Sequence, residues 1–452
     1  MEREVIKALV SWKTAPDRLP LLIRGARQVG KTHAALAFGW RYYEDMLTIN
    51  FEQQREYIPC FKTLYPEKIL QLIYAVGGKT IIPGKTLLFL DEIQECPNAI
   101  MALRYFYEQM PEQHIIGAGS LLEFTLRNVD FKMPVGRIQS CYLKPMSFTE
   151  FLMAANKKSL VEYLISVNLH DSIDTAVHDQ LIVHLKEYLT LGGMPAVLRT
   201  YFTTGDLAQC KTRQHVIMDN YRQDFGKYAK HTDIKYLQRL LDKAPGMVSH
   251  HFKYRDIDPD VHSRNIKHAL YELIDAGILY KNHATSASGL PLISTMNEEK
   301  FKLFFLDIGL LNSSMGITAS SLLSEDILLL NRGALAEQFV AQELLTLGNA
   351  FEKNVLFYWE RAEKTSTAEV DFITTIDSTI VPIEVKAGSS GHLRSLHVFM
   401  ALKKLPVAVR INSDLPSIVD INISTSVNAA ANYKLISLPF YLLGQVNRLL
   451  RS

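Results

Sequence analysis

Four cysteines in 452 residues, Cys60, Cys96, Cys141 and Cys210, stand far apart. That scarcity excludes a dense disulfide framework, and their separation excludes the paired spacings of a zinc site. No apolar run reaches the roughly 18 residues needed to cross a bilayer. The opening MEREVIKALVSWK mixes charges where a secretory signal would hold an unbroken apolar core. Charge of either sign is also in short surplus. The balance of 49 basic and 47 acidic residues is +2, with no basic tract, so the total does not demand a polyanionic partner. No polar stretch is long or biased enough to prevent a packed core. What is present, 48% hydrophobic and 21% charged residues, is globular composition, and the length predicts two or three domains with cores of their own. These absences predict a protein of the reducing cytoplasm with no membrane partner.

The first patterned segment begins at residue 19. LPLLIRG reads as a short apolar strand that stops at Gly25, GARQVGKT follows, and HAALAFGWRYY continues as a helix. Strand, glycine loop and helix is the context in which GxxxxGK[ST] cradles phosphate. Gly25 and Gly30 let the backbone curl so that the N–H groups of Ala26, Arg27, Gln28, Val29 and their neighbours face phosphate oxygens. The helix start adds its dipole, Lys31 neutralises terminal phosphates, and the Thr32 hydroxyl suits magnesium. The expected cofactors are therefore ATP and Mg2+. A glycine-rich turn without chemistry is the plainer alternative.

Downstream, TLLFLDEIQ delivers Asp91 and Glu92 at the end of a buried-strand pattern. Asp91 is expected to hold the magnesium and Glu92 to polarise the attacking water. An acidic helix N-terminus explains an isolated Asp-Glu pair as well. HIIGAGS is a further strand ending at Ser120, placed either to sense the terminal phosphate or to cap a helix. Arg137 is the candidate for stabilising transferring phosphoryl charge, with Arg127 as its competitor and a plain surface role as the alternative for both.

GARQVGKT, LDEIQ, GAGS, the Gly-Arg followed by PMSFTEFL, and YLTLGGMPAV occur in one order along nearly the whole chain. Together they resemble a bacterial and archaeal family of AAA-type P-loop ATPases fused to a C-terminal domain of unknown function. The resemblance implies an α/β fold whose ATPase domain is a five-stranded parallel sheet with the Asp91 strand central.

Residues 156–240 read as a helical linker, broken at LKEYLTLGGMPAVL. Residues 241–320 read as a winged helix. HSRNIKHALYELIDAGIL supplies a helix with Ile266, Ala269, Leu270, Leu273 and Ile274 on its apolar face, and FKLFFLD a wing strand. Arg264 and Lys267 would meet DNA phosphates if that helix entered a groove, but so few cations favour a helix that only packs.

The last segment, 321–452, carries a second constellation. GALAEQFVAQELLTL is a helix with Glu337 and Glu343, followed by the strand VLFYWERA, then AEVDFITTI with Asp371, then TIVPIEVKAG with Glu384 and Lys386. Strand alternation puts Glu384 and Lys386 on one face, where they can converge with Asp371. An Asp followed by Glu-x-Lys on the next strand is the pattern of the restriction-endonuclease-like core, PD-(D/E)xK, and the resemblance points the same way. Asp371 and Glu384 would hold magnesium, with Glu337 as an outer ligand and Lys386 stabilising charge. Taken alone, Glu-x-Lys is an ordinary cross-strand ion pair.

The expected organisation is an ATPase domain at 1–155, the helical linker, the winged helix and a nuclease-like α/β domain. Two functions follow from it. One is an ATPase coupled to a nuclease-like domain that acts on DNA or docks to it. The other is a nucleotide-switched interaction module whose nuclease-like domain is inactive and docks a protein or a second copy of the chain.

Overall fold

The computed structural model describes residues 1–120, 122–126, 136–228, 233–317, 333–361, 368–386 and 393–451. Arg127 lies outside them. The chain forms two compact units. One comprises Met1–Pro145 with Asp275–Ile278 and Asn349–Lys353, and the other comprises Met146–Ile274, Leu279–Gly348 and Asn354–Ser452. No helix of the described residues is long and apolar enough to cross a membrane.

The first unit is built on five parallel strands: β1 (Leu21–Arg24), β2 (Asp45–Asn50), β3 (Thr86–Asp91), β4 (Ile115–Ala118) and β5 (Gln139–Tyr142). Their order is β2-β3-β4-β1-β5. A parallel sheet is covered on both faces, so its strands read as continuous apolar runs. TLLFLD is buried at every position, and Leu88 and Leu90 pack with Leu22, Ile49 and Ile93 in one core. Each such leucine or isoleucine contributes about 1.5–3 kcal/mol by leaving water. The centre of the sheet is β4; the Asp91 strand β3, expected there, stands one place out because β2 takes the edge beside it. Parallel register brings Asn50, Asp91 and Ala118 level, since Asn50 pairs with Asp91 and Asp91 with Ala118. The carboxyl ends of β1, β2, β3 and β4 thus open on one side, where ligands of open α/β sheets bind.

The second unit begins with helices and ends in an eight-stranded mixed sheet. Its strands are β6 (Leu279–Thr285), β7 (Met296–Phe305), β8 (Leu356–Glu360), β9 (Glu369–Ile376), β10 (Thr379–Val385), β11 (Val407–Asn412), β12 (Ser417–Ser424) and β13 (Ala430–Pro439). The order is β12-β13-β11-β10-β9-β8-β6-β7. The strand expected to form a wing, β7, is therefore the edge of this sheet, and β6 beside it joins the sheet by the parallel pairing of Asn282 with Leu356 and His283 with Phe357. The helix Ser263–Asp275 buries Ile266, Ala269, Leu270 and Leu273 and leaves Arg264 and Lys267 exposed.

Buried amides fix the helix Ala334–Thr346 against these strands. Gln338 accepts from the Phe305 N–H at 2.8 Å and donates to the Phe305 carbonyl at 2.9 Å, while Gln342 accepts from Ile308 at 2.8 Å. Every polar atom of such a side chain must be answered, so a double bond to one residue sets the helix's rotation as well as its position. Glu343 is consumed in structure. It is buried and accepts from the Phe148 N–H at 2.9 Å, at the start of the helix Phe148–Ala154.

Candidate functional site

The glycine loop between β1 and the helix Lys31–Tyr42 has the backbone that its residues allow and few others would. Gly25 has φ +142° and Gly30 φ +97°, and a Cβ on Gly25 would stand 2.2 Å from the Leu143 carbonyl oxygen. Gln28 also holds a positive φ, +67°. Arg3 pins the loop from outside the motif by donating to the Val29 carbonyl at 2.8 Å and to the Lys144 carbonyl at 2.7 Å. Ala26 and Val29 are buried, and Arg27 contributes positive charge toward Lys31.

Lys31 folds back onto the loop, donating to the carbonyls of Gly25 at 3.0 Å and Ala26 at 2.8 Å. Burial brings its ammonium down to about 8, against the opposing pull of Glu92 and Asp91. The Thr32 hydroxyl stands 3.2 and 3.1 Å from the two oxygens of Asp91. Burial and the charge of Glu92 raise the Asp91 carboxyl; the bonds from Thr32 and Asn50 work against that rise. The structure thus brings Lys31, Thr32, Asp91 and Glu92 to one place.

Asn50 and Gln94 also belong there, although the sequence reading assigned neither a role. The Asn50 amide donates to Asp91 Oδ2 at 3.2 Å. The Gln94 amide donates to Glu92 Oε2 at 2.7 Å, and Glu92 itself takes the left-handed backbone, φ +47°. The signal for Gln94 was its spacing of two from Glu92; for Asn50 it was a polar residue ending an apolar strand.

Ser120 lies two residues beyond Ala118, the register partner of Asp91, and is half-buried. Arg137 is exposed, donates to Glu108 at 3.0 Å and lies over the Tyr107 ring at 5.8 Å. Its partners are thus on the helix Pro97–Gln109.

The second unit gathers Glu337, Asp371, Glu384 and Lys386. The antiparallel register of β9 and β10 runs from Ile376 opposite Thr379 to Phe372 opposite Ile383, which sets Glu384 opposite Asp371. Asp371 Oδ2 accepts from the Val385 N–H at 2.8 Å, and Lys386 donates to Glu384 Oε1 at 2.7 Å. Glu384 Oε2 is buried without a hydrogen-bond partner. Two carboxylates directly across a ladder repel. Burial, and then the charge of Asp371, push Glu384 up to about 8, and the same causes push Glu337 up to about 7. An unanswered buried carboxylate oxygen opposite a second carboxylate suits a hard divalent cation, so Asp371 and Glu384 fit magnesium or manganese.

Three further residues join them. Lys302 of β7, 3% exposed, lies 3.4 Å from Glu337 Oε2 and pairs with Glu369 Oε1. His251 Nε2 lies 2.8 Å from Glu369 Oε2. Glu369 was findable, since it stands two residues before Asp371 on one strand and so shares its face. Lys302 carried no local signal.

Residues 17–152 match a family described as an AAA domain, residues 182–321 a domain of unknown function (DUF8612), and residues 332–427 another (DUF4143). No curated protein shows significant similarity to the chain. Among solved structures, the Walker-type ATPase PABY2304 of Pyrococcus abyssi is 15% identical, with 70% of this chain and 95% of that chain covered and a TM-score of 0.43. The ORC1 protein of Aeropyrum pernix, solved in complex with DNA, is 11% identical over 70% of this chain and 91% of that one, with a TM-score of 0.27. AMPPCP-bound DnaA from Aquifex aeolicus is 14% identical over 60% and 86%, with a TM-score of 0.26. The family match and the strand–loop–helix site that it spans identify residues 17–152 as an AAA-type P-loop ATPase domain.

Proposed function

We propose that the chain binds and hydrolyses ATP with magnesium, and that nucleotide state is coupled to a divalent-metal centre of nuclease type that acts on DNA or docks to it. The pairing of Thr32 with Asp91, beside a glutamate already held in place, carries the first half. On this reading Lys31 exchanges the carbonyls of Gly25 and Ala26 for terminal phosphate oxygens, and Thr32 and Asp91 would hold magnesium, which supplies charge neutralisation at the phosphates. Glu92 accepts a hydrogen bond from the attacking water and draws off its proton. Ser120, two residues beyond the register partner of Asp91, takes the part of sensing the terminal phosphate on this reading. An exposed arginine such as Arg137 suits a role toward a neighbouring copy, once its bond to Glu108 is broken.

In the second unit, the buried oxygen of Glu384 opposite Asp371 supports the metal reading. Asp371 and Glu384 would hold the ion, Glu337 stands as an outer carboxylate, and Lys386 offers a fixed positive charge to a phosphodiester. A second reading, an inactive docking domain, is favoured by the lysines that already answer Glu337, Glu369 and one oxygen of Glu384.

The deciding experiment incubates purified protein with ATP, magnesium or manganese, and linear, circular and single-stranded DNA, scoring phosphate release, strand cleavage and DNA binding by gel shift. Phosphate release without cleavage or DNA binding supports the docking reading. No release under any condition removes the ATPase reading.

A further inference from the structure

We propose that Lys302 stands where a second metal ion would otherwise sit, so that the C-terminal carboxylate centre holds one divalent cation and not two. The inference rests on the reading of Asp371 and Glu384 as metal ligands. Among the described residues, the only buried lysines are Lys31 of the glycine loop and Lys302. A lysine is almost never fully buried unless its charge has a partner. Lys302 has two, Glu337 and Glu369, and neither is on its own strand.

Counting charge decides how many ions the centre accepts. With all four carboxyls deprotonated, as a bound cation requires, Glu337, Glu369, Asp371 and Glu384 bring four negative charges, and the two lysines Lys302 and Lys386 bring two positive ones. The adjacent Glu360 and Lys300 pair with each other and cancel. Two negative charges remain, which one divalent ion closes. A second ion would leave the same pocket with two uncompensated positive charges, and uncompensated buried charge costs several kcal/mol per ion after relaxation.

The hydrogen bonds divide the centre in the same way. Lys302 answers Glu337 and Glu369. At the Asp371–Glu384 pair, Glu384 Oε2 has no partner. Two-metal centres place their ions about 4 Å apart, with carboxylates shared between them. Here Asp371 lies two residues from Glu369 on β9 and directly across from Glu384, so it adjoins both the lysine's place and the metal's.

The test is a manganese titration of the nucleotide-free full-length chain, with free Mn2+ read by electron paramagnetic resonance. An Asp91→Asn background removes the carboxylate that pairs with Thr32 in the ATPase site. One Mn2+ per chain is expected, lost in Glu384→Gln. Lys302→Met should bind two, because Glu337 and Glu369 then lose the cation that pairs with both and the centre gains a negative charge, and Lys302→Arg should bind one. Two Glu384-dependent ions without any change at Lys302 overturn the inference, as does a single unchanged ion in a folded Lys302→Met. If circular dichroism shows that Lys302→Met does not fold, the counts in the unsubstituted Lys302 protein and in Lys302→Arg decide: one in each supports the inference, and two in either overturns it. No Glu384-dependent ion at all removes the metal reading itself, a result distinct from one ion in both Lys302 and Lys302→Met proteins.

Discussion

The Gln94 side chain has one polar atom bonded and one stranded. Its amide nitrogen holds Glu92 at 2.7 Å, while its oxygen is buried without a partner against Gly119, where a Cβ would come within 2.1 Å. The residue is thus wedged, and the Glu92 carboxylate inherits its position. Gln94→Ala should lower kcat for ATP about tenfold with KM little changed, since a hydrogen bond to a charged group is worth about 1.5–3 kcal/mol and only part of that bears on the reacting geometry. Steady-state kinetics decides; an equal change in both constants would mean that Gln94 serves binding. Lys31→Ala should act on binding itself. The fixed cation for the terminal phosphates is lost, so isothermal titration should find ATP affinity reduced by at least tenfold with the fold intact. Glu92→Gln should do the reverse, keeping affinity while hydrolysis falls about 10²- to 10⁴-fold.

At the scale of elements, the glycine loop is limited by backbone rather than side chains. Gly25 combines φ +142° with a carbonyl oxygen inside any Cβ's reach, so no rotamer change relieves Gly25→Ala. That variant should lose about 1–3 kcal/mol of stability and most ATP affinity together, read by thermal melting and titration on one sample. This loop was legible in the sequence because its chemistry is local: eight consecutive residues that run from the end of a strand into the first turn of a helix. The placement of Glu384 across from Asp371 was legible for a related reason, since period-2 alternation and a short link between β9 and β10 leave little freedom. Sheet membership was not legible. FKLFFLD reads as a strand from its apolar run, but nothing within it says that β6 and β7 extend the sheet of Asp371, and so Lys302 could not be assigned to that centre. Arg3 escaped for the same reason, its second carbonyl partner lying 141 residues away. Side chains that work across long sequence separations leave no periodic trace.

At the scale of the whole molecule, buried carboxyl groups link stability, pH and metal. Burial raises Asp307 to about 6, Glu337 to about 7 and Glu384 to about 8. In each case the folded value exceeds the ordinary carboxyl value of about 4 in the unfolded chain. The folded protein then binds more protons than the unfolded one between roughly pH 4 and 8, so these groups' contribution is full at acid pH and is lost as pH rises through 6, 7 and 8. A divalent cation should reverse the part of that trend owed to Glu337 and Glu384, because it needs those carboxylates deprotonated and binds only the folded centre. Calorimetric melting in a chelator should therefore show Tm falling from pH 5 to 8, and manganese should restore it strongly at pH 8 but hardly at pH 5. Glu384→Gln should flatten the last part of the fall and abolish the manganese effect together. A metal-induced rise in Tm that is equal at both pH values, or that survives Glu384→Gln, would place the ion elsewhere and leave Glu384 as the lysine's partner alone.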